Sequence, residues 1–434
     1  MNEPSGASRW RRQVFLSTWL AYVGFYFCRK PFSVAKGTIG SELGLDASTL
    51  GTIGAAYLIA YALGQFLAGT LGGRLGPKRL LLFGMGLSIV ATAGLPLGQA
   101  FPTWMFLNGL GQAVGWPAGV ALMAAWFSQA ERGRVMGVWA TNFQVGSLAA
   151  TFVASALLVR TGWQSTFYVG AALLAVVWIV NAWLLAERPQ DVGLPELAHE
   201  TGAGDGSAAP RWNRQLTIDV ALIGTFYFFL KFIRYALWSW VPYFLQHNYG
   251  MKSDDAGYFS TLFDLAGIPG VMVTGWISDR LFASRRAAPS LVMMVLLFAS
   301  CGLLMRLGGA NLWVFGVCLV LVGFSLYGPD SLMTGAGAMD LGDARMALRV
   351  TGIIAACGAC GPIVQELVIG RMYDSNQGDL SAIFALLFGS AAISTAALSV
   401  RVWREQRTGI RPHPERRNSN PGKAGGSRPG RNRR

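Results

Sequence analysis

The sequence predicts an all-α integral membrane protein of twelve transmembrane helices, arranged as two pseudo-symmetric bundles of six. Three observations predict it. Charged residues make up 13% of the chain against 53% hydrophobic, with a mean hydropathy of +0.40. A soluble domain carries about 25% charged residues, so lipid must be the solvent for much of this one. Apolar stretches of spanning length recur twelve times, and one long polar break divides them six and six.

Residues 1–12 are polar and basic, and the apolar run behind them lacks a small-residue cleavage site. They read as a cytoplasmic N-terminus before a retained first helix. A spanning helix needs about 20 mostly apolar residues. The first bundle, 13–186, is expected to hold spans at 13–35, 48–72, 78–98, 103–127, 133–158 and 163–186. Residues 187–215 carry Pro189, Pro195, Pro210 and a Gly/Ala/Ser run, and form the linker. The second bundle, 216–403, is expected to hold spans at 216–246, 255–279, 289–307, 311–335, 346–372 and 380–403. The 55 glycines suit close helix contacts in lipid. Gly69-Thr-Leu-Gly-Gly-Arg-Leu pairs with Gly275-Trp-Ile-Ser-Asp-Arg-Leu in the other half, as expected of an internal repeat. Both basic loops are candidates for a gate latch.

Basic residues orient the chain. One face, holding both termini, receives 27 of the 36 Lys and Arg; the other receives five, counting Lys36 among them. Both termini are therefore expected in the cytoplasm of a multi-pass inner-membrane protein. The tail 404–434 has ten basic residues amid Pro, Gly, Ser and Asn. It reads as a disordered cytoplasmic segment near anionic lipid, not a nucleic-acid binder, because no aromatic is interleaved with its charges. Cys357-x-x-Cys360 lacks a second pair or a nearby His, and reads as small residues at a helix contact.

Ionisable residues inside spans cost about 2.5–3.5 kcal/mol each at mid-membrane and need a reason to be there. Tyr22, Tyr26 and Arg29 share one helical face at i, i+4 and i+7. Lys231 and Arg234 share another at i, i+3, and repel each other unless an anion lies near. If the halves meet about a pseudo-two-fold axis, Arg29 and Arg234 converge. A guanidinium fork matches phosphate oxygens, so Arg29, Arg234 and Lys231 would suit a dianionic phosphate monoester. Lys30 and Asp264 are expected to form a salt bridge between bundles that breaks and reforms as the carrier moves. Asp330 and Glu366 are further intramembrane carboxylates, candidates for coupling to protons or for pairing with Arg. No catalytic constellation and no phosphate-binding loop is present, which argues against an enzyme and an ATP-driven pump. No cofactor or metal is expected.

Several motifs resemble a known family. The two sixes and the paired loops resemble the major facilitator superfamily. Within it, Tyr26-Phe-Cys-Arg29-Lys30-Pro-Phe, Arg234-Tyr-Ala-Leu-Trp-Ser-Trp-Val-Pro242, Asp264-Leu-Ala-Gly-Ile-Pro-Gly270, Tyr327-Gly-Pro329 and the linker Arg188-Pro-Gln-Asp-Val-Gly-Leu-Pro195 resemble the organophosphate:phosphate antiporters. Gly115-Trp-Pro117 and Asp340-Leu-Gly342 look closest to the sugar-phosphate exchanger branch. The resemblance implies exchange of inorganic phosphate for a phosphorylated metabolite by alternating access. It places the paired arginines at Arg29 and Arg234, the first-helix tyrosines at Tyr22 and Tyr26, and the bridging pair at Lys30 and Asp264. The chain departs from the glycerol-3-phosphate branch at Gln65, Phe143 and Ser239, which replace a lysine, a histidine and an acid. Lys231 stands where that branch has tyrosine and is read as restoring a lost cation. Gln65 joins Tyr22 and Tyr26 as a candidate hydrogen-bond donor. The expected partners are a small phosphorylated anion, phosphate and the bilayer, with the protein a monomer. A sugar-phosphate sensor on the same fold, or a carrier of another organic anion, is the alternative.

Overall fold

The computed structural model describes residues 5–195, 214–281, 287–335 and 344–408. No strand occurs among them. The first half contains α1 (Ser5–Leu43), α2 (Ala47–Leu75), α3 (Pro77–Gly94), α4 (Phe101–Ala113), α5 (Gly115–Trp126), α6 (Gln129–Trp139), α7 (Asn142–Thr161) and α8 (Trp163–Leu184). The second contains α9 (Arg214–Asn248), α10 (Ser253–Leu281), α11 (Ala287–Leu307), α12 (Leu312–Gly335), α13 (Ala344–Ser375) and α14 (Ser381–Thr408). Ten helical segments are long and apolar enough to cross a membrane by length and composition. The two remaining expected spans are α1, which is loaded with charge, and the α4–α5 pair, which is interrupted.

Two expected spans are each broken into two helices. Between α4 and α5 the cause is Pro117, which has no N–H to donate to the turn before it. The helix resumes when Ala118 N–H reaches Val114 O at 3.0 Å. Between α6 and α7 the hydroxyl of Thr141 donates to Val138 O at 2.8 Å, an i−3 contact that competes with the regular ladder. Prolines at 31, 242, 269, 329 and 362 lie inside continuous helices. Membrane helices tolerate this because neighbouring groups satisfy the freed carbonyls.

The helices do not stop where hydropathy falls. The first begins within the polar N-terminus and runs eight residues past the expected end at 35, so Lys36 lies inside α1 and is fully buried. Lys36, expected in a loop, is a helical residue of the protein interior. Large apolar side chains face outward, among them Trp183 at 85% exposure, Trp313 at 79% and Phe66 at 76%. Tryptophans near helix ends suit the membrane–water interface. The chain is a multi-pass membrane protein.

Within the first half α1 packs on α7 and α8, and α2 and α3 pack on α4. Within the second, α9 packs on α13 and α14, α10 on α12, and α11 on α12 and α14. The two bundles meet along α2–α13, α7–α10 and α1–α9. The side that holds the starts of α1 and α9, with the ends of α8 and α14 beside them, is called here the terminal face; the opposite one is the distal face. Among described residues, hydrogen bonds between bundles lie from the level of Lys30 toward the distal face. There Asp374 of α13 accepts from the backbone N–H groups of Ala47 and Ser48 at 3.1 and 2.7 Å, capping α2 across the seam. A Cβ at Gly51 would collide with the Glu366 carbonyl oxygen, and one at Gly54 would lie 2.9 Å from Glu366 Cδ.

The loops proposed as latches fall largely outside the described side chains or residues, as do Asp340-Leu-Gly342, linker residues 196–213 and the tail beyond Thr408. Cys357 packs against Gly224 of α9, while Cys360 is exposed, and both are free thiols.

Overpacking the seam should be costly. Gly51→Leu is expected to destabilise the protein by about 1–3 kcal/mol. A thermal melt in detergent should show the lower midpoint, with Gly275→Ala, whose added Cβ meets no atom within 4 Å, unchanged.

Candidate functional site

Midway along α1, three side chains lie on the stripe read from the sequence. Tyr22 and Tyr26 have ring centroids 6.1 Å apart, and the Arg29 guanidinium lies 5.2 Å from the Tyr26 ring. Tyr22 also packs edge-on to Trp116 at 5.6 Å and beside Trp139 at 5.9 Å. It is wedged in an aromatic cluster, deeper in the first bundle than Arg29.

Arg29 is held by neutral groups. Its Nε donates to Gln112 Oε1 at 3.0 Å, and the rings of Tyr57 and Tyr61 lie 5.4 and 4.9 Å from its guanidinium. Gln112 is itself fixed by Tyr57 Oη at 2.9 Å and by its own donation to Asn108 Oδ1, also at 2.9 Å. Asn108 in turn donates to Cys28 O at 2.8 Å, closing the network onto α1 beside Arg29. No carboxylate of the described residues lies within 4.0 Å of Arg29. Three tyrosine faces offset part of the cost of its burial, each by about 0.5–2 kcal/mol. Its charge remains uncancelled.

The opposite bundle is built differently. Lys231 Nζ lies 3.0 Å from Asp330 Oδ1, and Arg234 Nη1 donates to Asp330 Oδ2. Arg234 also lies against Tyr327 at 4.6 Å and, across the seam, Phe143 at 6.0 Å. The anion required to relieve the Lys231–Arg234 repulsion is thus Asp330. Lys231, expected to add a cation to the site, is paired with Asp330 instead. The Tyr26 ring beside Arg29 packs on Gly146 of α7, and Arg234 lies against Phe143 one turn earlier on that helix, so the two guanidinium groups approach one region between the bundles.

Lys30 and Asp264 are not paired with each other. Lys30 Nζ lies 3.9 Å from the Trp238 ring and donates to Trp238 O at 3.4 Å. Asp264 accepts from Ser147 Oγ at 2.9 Å and from the Tyr327 hydroxyl. Trp238 Nε1 also donates to Ser147 at 3.3 Å, so the lysine and the acid are joined through Trp238 and Ser147. Both still contact the other bundle. The direct bridge is absent because each already has partners at hydrogen-bonding distance.

Glu366 has the partner that the sequence left open. Lys36 Nζ lies 3.1 Å from Glu366 Oε2 and donates to Ser239 Oγ at 2.8 Å. Ser239 Oγ donates to Glu366 Oε1, and the Trp240 ring lies 3.9 Å from the ammonium. All three polar groups are buried, and they tie α1 to α9 and α13. Ser239, noted as a lost acid, sits where the acid of α13 takes over. Gln65 is exposed one turn beyond Tyr61 on α2 and makes no hydrogen bond to a described residue.

Tyr57, Tyr61, Gln112, Asn108 and Lys36 were missed in the sequence. Tyr57 and Tyr61 carried a signal, since they lie at i, i+4 and extend to Gln65. Gln112 and Asn108 carried one as well, as polar residues at i, i+4 within an apolar span. No cluster of three or more His, Cys, Asp or Glu among the described residues could hold a metal.

Comparisons with known proteins agree with this architecture. A family model described as Major Facilitator Superfamily matches residues 14–366. The chain is 30% identical over 373 residues to the glycerol-3-phosphate transporter of Bacillus subtilis (strain 168), covering 81% of this chain and 84% of that one. It is 27% identical over 392 residues to a protein of Chlamydia pneumoniae named "Probable hexose phosphate transport protein", covering 84% and 86%. It is also 27% identical over 408 residues to the membrane sensor protein UhpC of Escherichia coli (strain K12), covering 90% and 91%.

Breaking the buried pair should show its cost. Lys36→Met leaves Glu366 uncompensated and is expected to lower stability by about 3–5 kcal/mol. The double variant Lys36→Met/Glu366→Gln should recover most of that loss, read as the denaturation midpoint of the purified protein.

Proposed function

Because the chain belongs to the Major Facilitator Superfamily, we propose that it exchanges inorganic phosphate for a phosphorylated metabolite, a sugar phosphate or similar ester, by alternating access. The observation that carries this reading is the uncancelled charge of Arg29, facing the same region as Arg234. With Arg29, Lys30, Lys231 and Arg234 against Asp264 and Asp330, the middle of the protein carries two more positive charges than negative. A phosphate dianion supplies the balance. Its non-bridging oxygens fit two guanidinium forks approaching from opposite bundles. Tyr26 and Tyr61 line Arg29 and can donate to the remaining oxygens, with Gln65 and Tyr22 further off, while the Tyr57 hydroxyl is committed to Gln112. The relatives named for glycerol-3-phosphate and hexose phosphate support this substrate class.

The distal face is the outer one in this reading. The basic residues crowd onto the terminal face, which the positive-inside rule assigns to the cytoplasm of an inner membrane. The described contacts, including Lys36–Glu366 and the Asp374 cap, then close the site toward the outside. A state with these contacts admits substrate from the cytoplasm. Opening outward must separate them, and Lys30 and Asp264 can exchange partners as Trp238 moves. Lysines engage both Asp330 and Glu366, which favours counter-exchange with phosphate over a proton carried on either acid. The protein acts as a monomer, because each bundle supplies half of one site. It needs no cofactor.

A sensor is the second reading, favoured by the similarity to UhpC over 90% of the chain. It would bind the same ester without flux.

Exchange in proteoliposomes separates these readings. Vesicles loaded with labelled phosphate should release it only when phosphate or a sugar or triose phosphate is added outside. Arg29→Lys should cut the rate by at least about tenfold, since an ammonium cannot offer the bidentate fork. Binding of an ester with no efflux would favour the sensor. Competition by carboxylates or sulfonates, but not by phosphates, would assign another anion.

A further inference from the structure

The two halves of the site differ in kind. On α1 a guanidinium is surrounded by phenols and an amide. On α9 a guanidinium and an ammonium already hold an anion, the Asp330 carboxylate. Lys231 contacts its two oxygens at 3.0 and 3.2 Å, and Arg234 donates to the second of them. Asp330 follows Tyr327-Gly-Pro329 on α12, and its side chain is only 6% exposed. Those of Lys231 and Arg234 retain 16% and 17%, so the cations reach the seam while the acid stands behind them.

A carboxylate and a phosphoryl group engage a guanidinium in the same way, through paired oxygens on its N–H edge. They compete for that edge. Within this phosphate-exchange reading, we propose that Asp330 is an internal counter-anion, which the phosphoryl group of the substrate must displace from Arg234 and Lys231 and which thereby selects dianions over monoanions.

The physical argument is a difference of affinities. A dianion arrives with twice the charge of the carboxylate it displaces, and also engages Arg29, which has no carboxylate to give up. A monoanion offers the α9 cations no more charge than Asp330 already supplies, from a side chain tethered beside them. In the empty protein the acid suppresses repulsion between two cations three residues apart on one helix face. On release of substrate it returns to them, which speeds departure of the phosphoryl group. Lys231 and Asp330 together add no net charge; they add an anion that can be exchanged. Asp330 is in this account a specificity-determining residue that need not touch the substrate.

The test is equilibrium binding to the purified full-length protein by calorimetry. The probes are inorganic phosphate and dimethyl phosphate, the latter a permanent monoanion. Wild type, Asp330→Asn and the charge-balanced Lys231→Met/Asp330→Asn are compared, with melting curves as a control for folding. Asp330→Asn should bind phosphate about tenfold more tightly than wild type. It should also acquire measurable affinity for dimethyl phosphate, while its exchange rate in proteoliposomes falls. The double variant keeps the net charge of the wild type but has no competing anion, so it should still bind the monoanion. If Asp330→Asn melts early, the double variant decides alone, because it leaves one unpaired cation, Arg234, where the single variant leaves two. Phosphate binding unchanged or weakened in folded Asp330→Asn would overturn the inference. So would wild-type selectivity in the double variant, since net charge and not competition would then set the preference. Wild type that binds no phosphate compound at all would instead overturn the phosphate reading of the site, and this inference with it.

Discussion

A guanidinium in the middle of a membrane protein must be compensated, and most of the site's construction follows from how this chain treats Arg29. It is not given an acid. Tyr26, Tyr57 and Tyr61 offer ring faces and Gln112 offers one carbonyl oxygen. Neutral groups lower the cost of burial without cancelling the charge. The proposed anion site rests on the residual positive potential, and the amide network through Gln112 and Asn108 ties it to α1.

The remaining buried charges obey the opposite rule. Lys36 meets Glu366, and Lys231 and Arg234 meet Asp330. Their locations explain the difference. Lys36 and Glu366 lie where the bundles are tightly joined, with Gly51 and Gly54 letting α2 approach α13 over the acid. A dry seam of this kind cannot hold an uncompensated charge. In the alternating-access reading proposed above, the pairing also lets the seam open reversibly. A hydrophobic seam of equal area would expose apolar surface to water when opened, whereas separated lysine and glutamate are well hydrated. Polar groups at Ser239, Thr38–Ser253 and the Asp374 cap serve the same end.

The region of Lys30 and Asp264 stands between these regimes. Each group contacts the other bundle, yet the two are joined by way of Trp238 and Ser147. An ammonium resting on an indole face holds a partner it can leave at modest cost, since a cation–π contact is weaker than a buried ion pair. A site that must be reversible is better served by such a contact than by a fixed bridge.

The sequence alone determined the membrane class, the all-helical fold and the shared face of Tyr22, Tyr26 and Arg29. Each is a local property, set by hydropathy over about 20 residues or by the 3.6-residue turn. It also showed that Lys231 and Arg234 required an anion, because their repulsion depends only on spacing along one helix. The tertiary structure decided which groups meet. Arg234 and Asp330 are 96 positions apart, and Lys36 and Glu366 are 330 apart. No periodicity connects such positions; helix packing does. Hydropathy also ended the first span at Ala35, one residue before Lys36, because a charge lowers any window that contains it. Only the fold could reveal that an acid from α13 lets the helix continue through that lysine, and that Asp330 supplies the anion the sequence required beside Lys231 and Arg234.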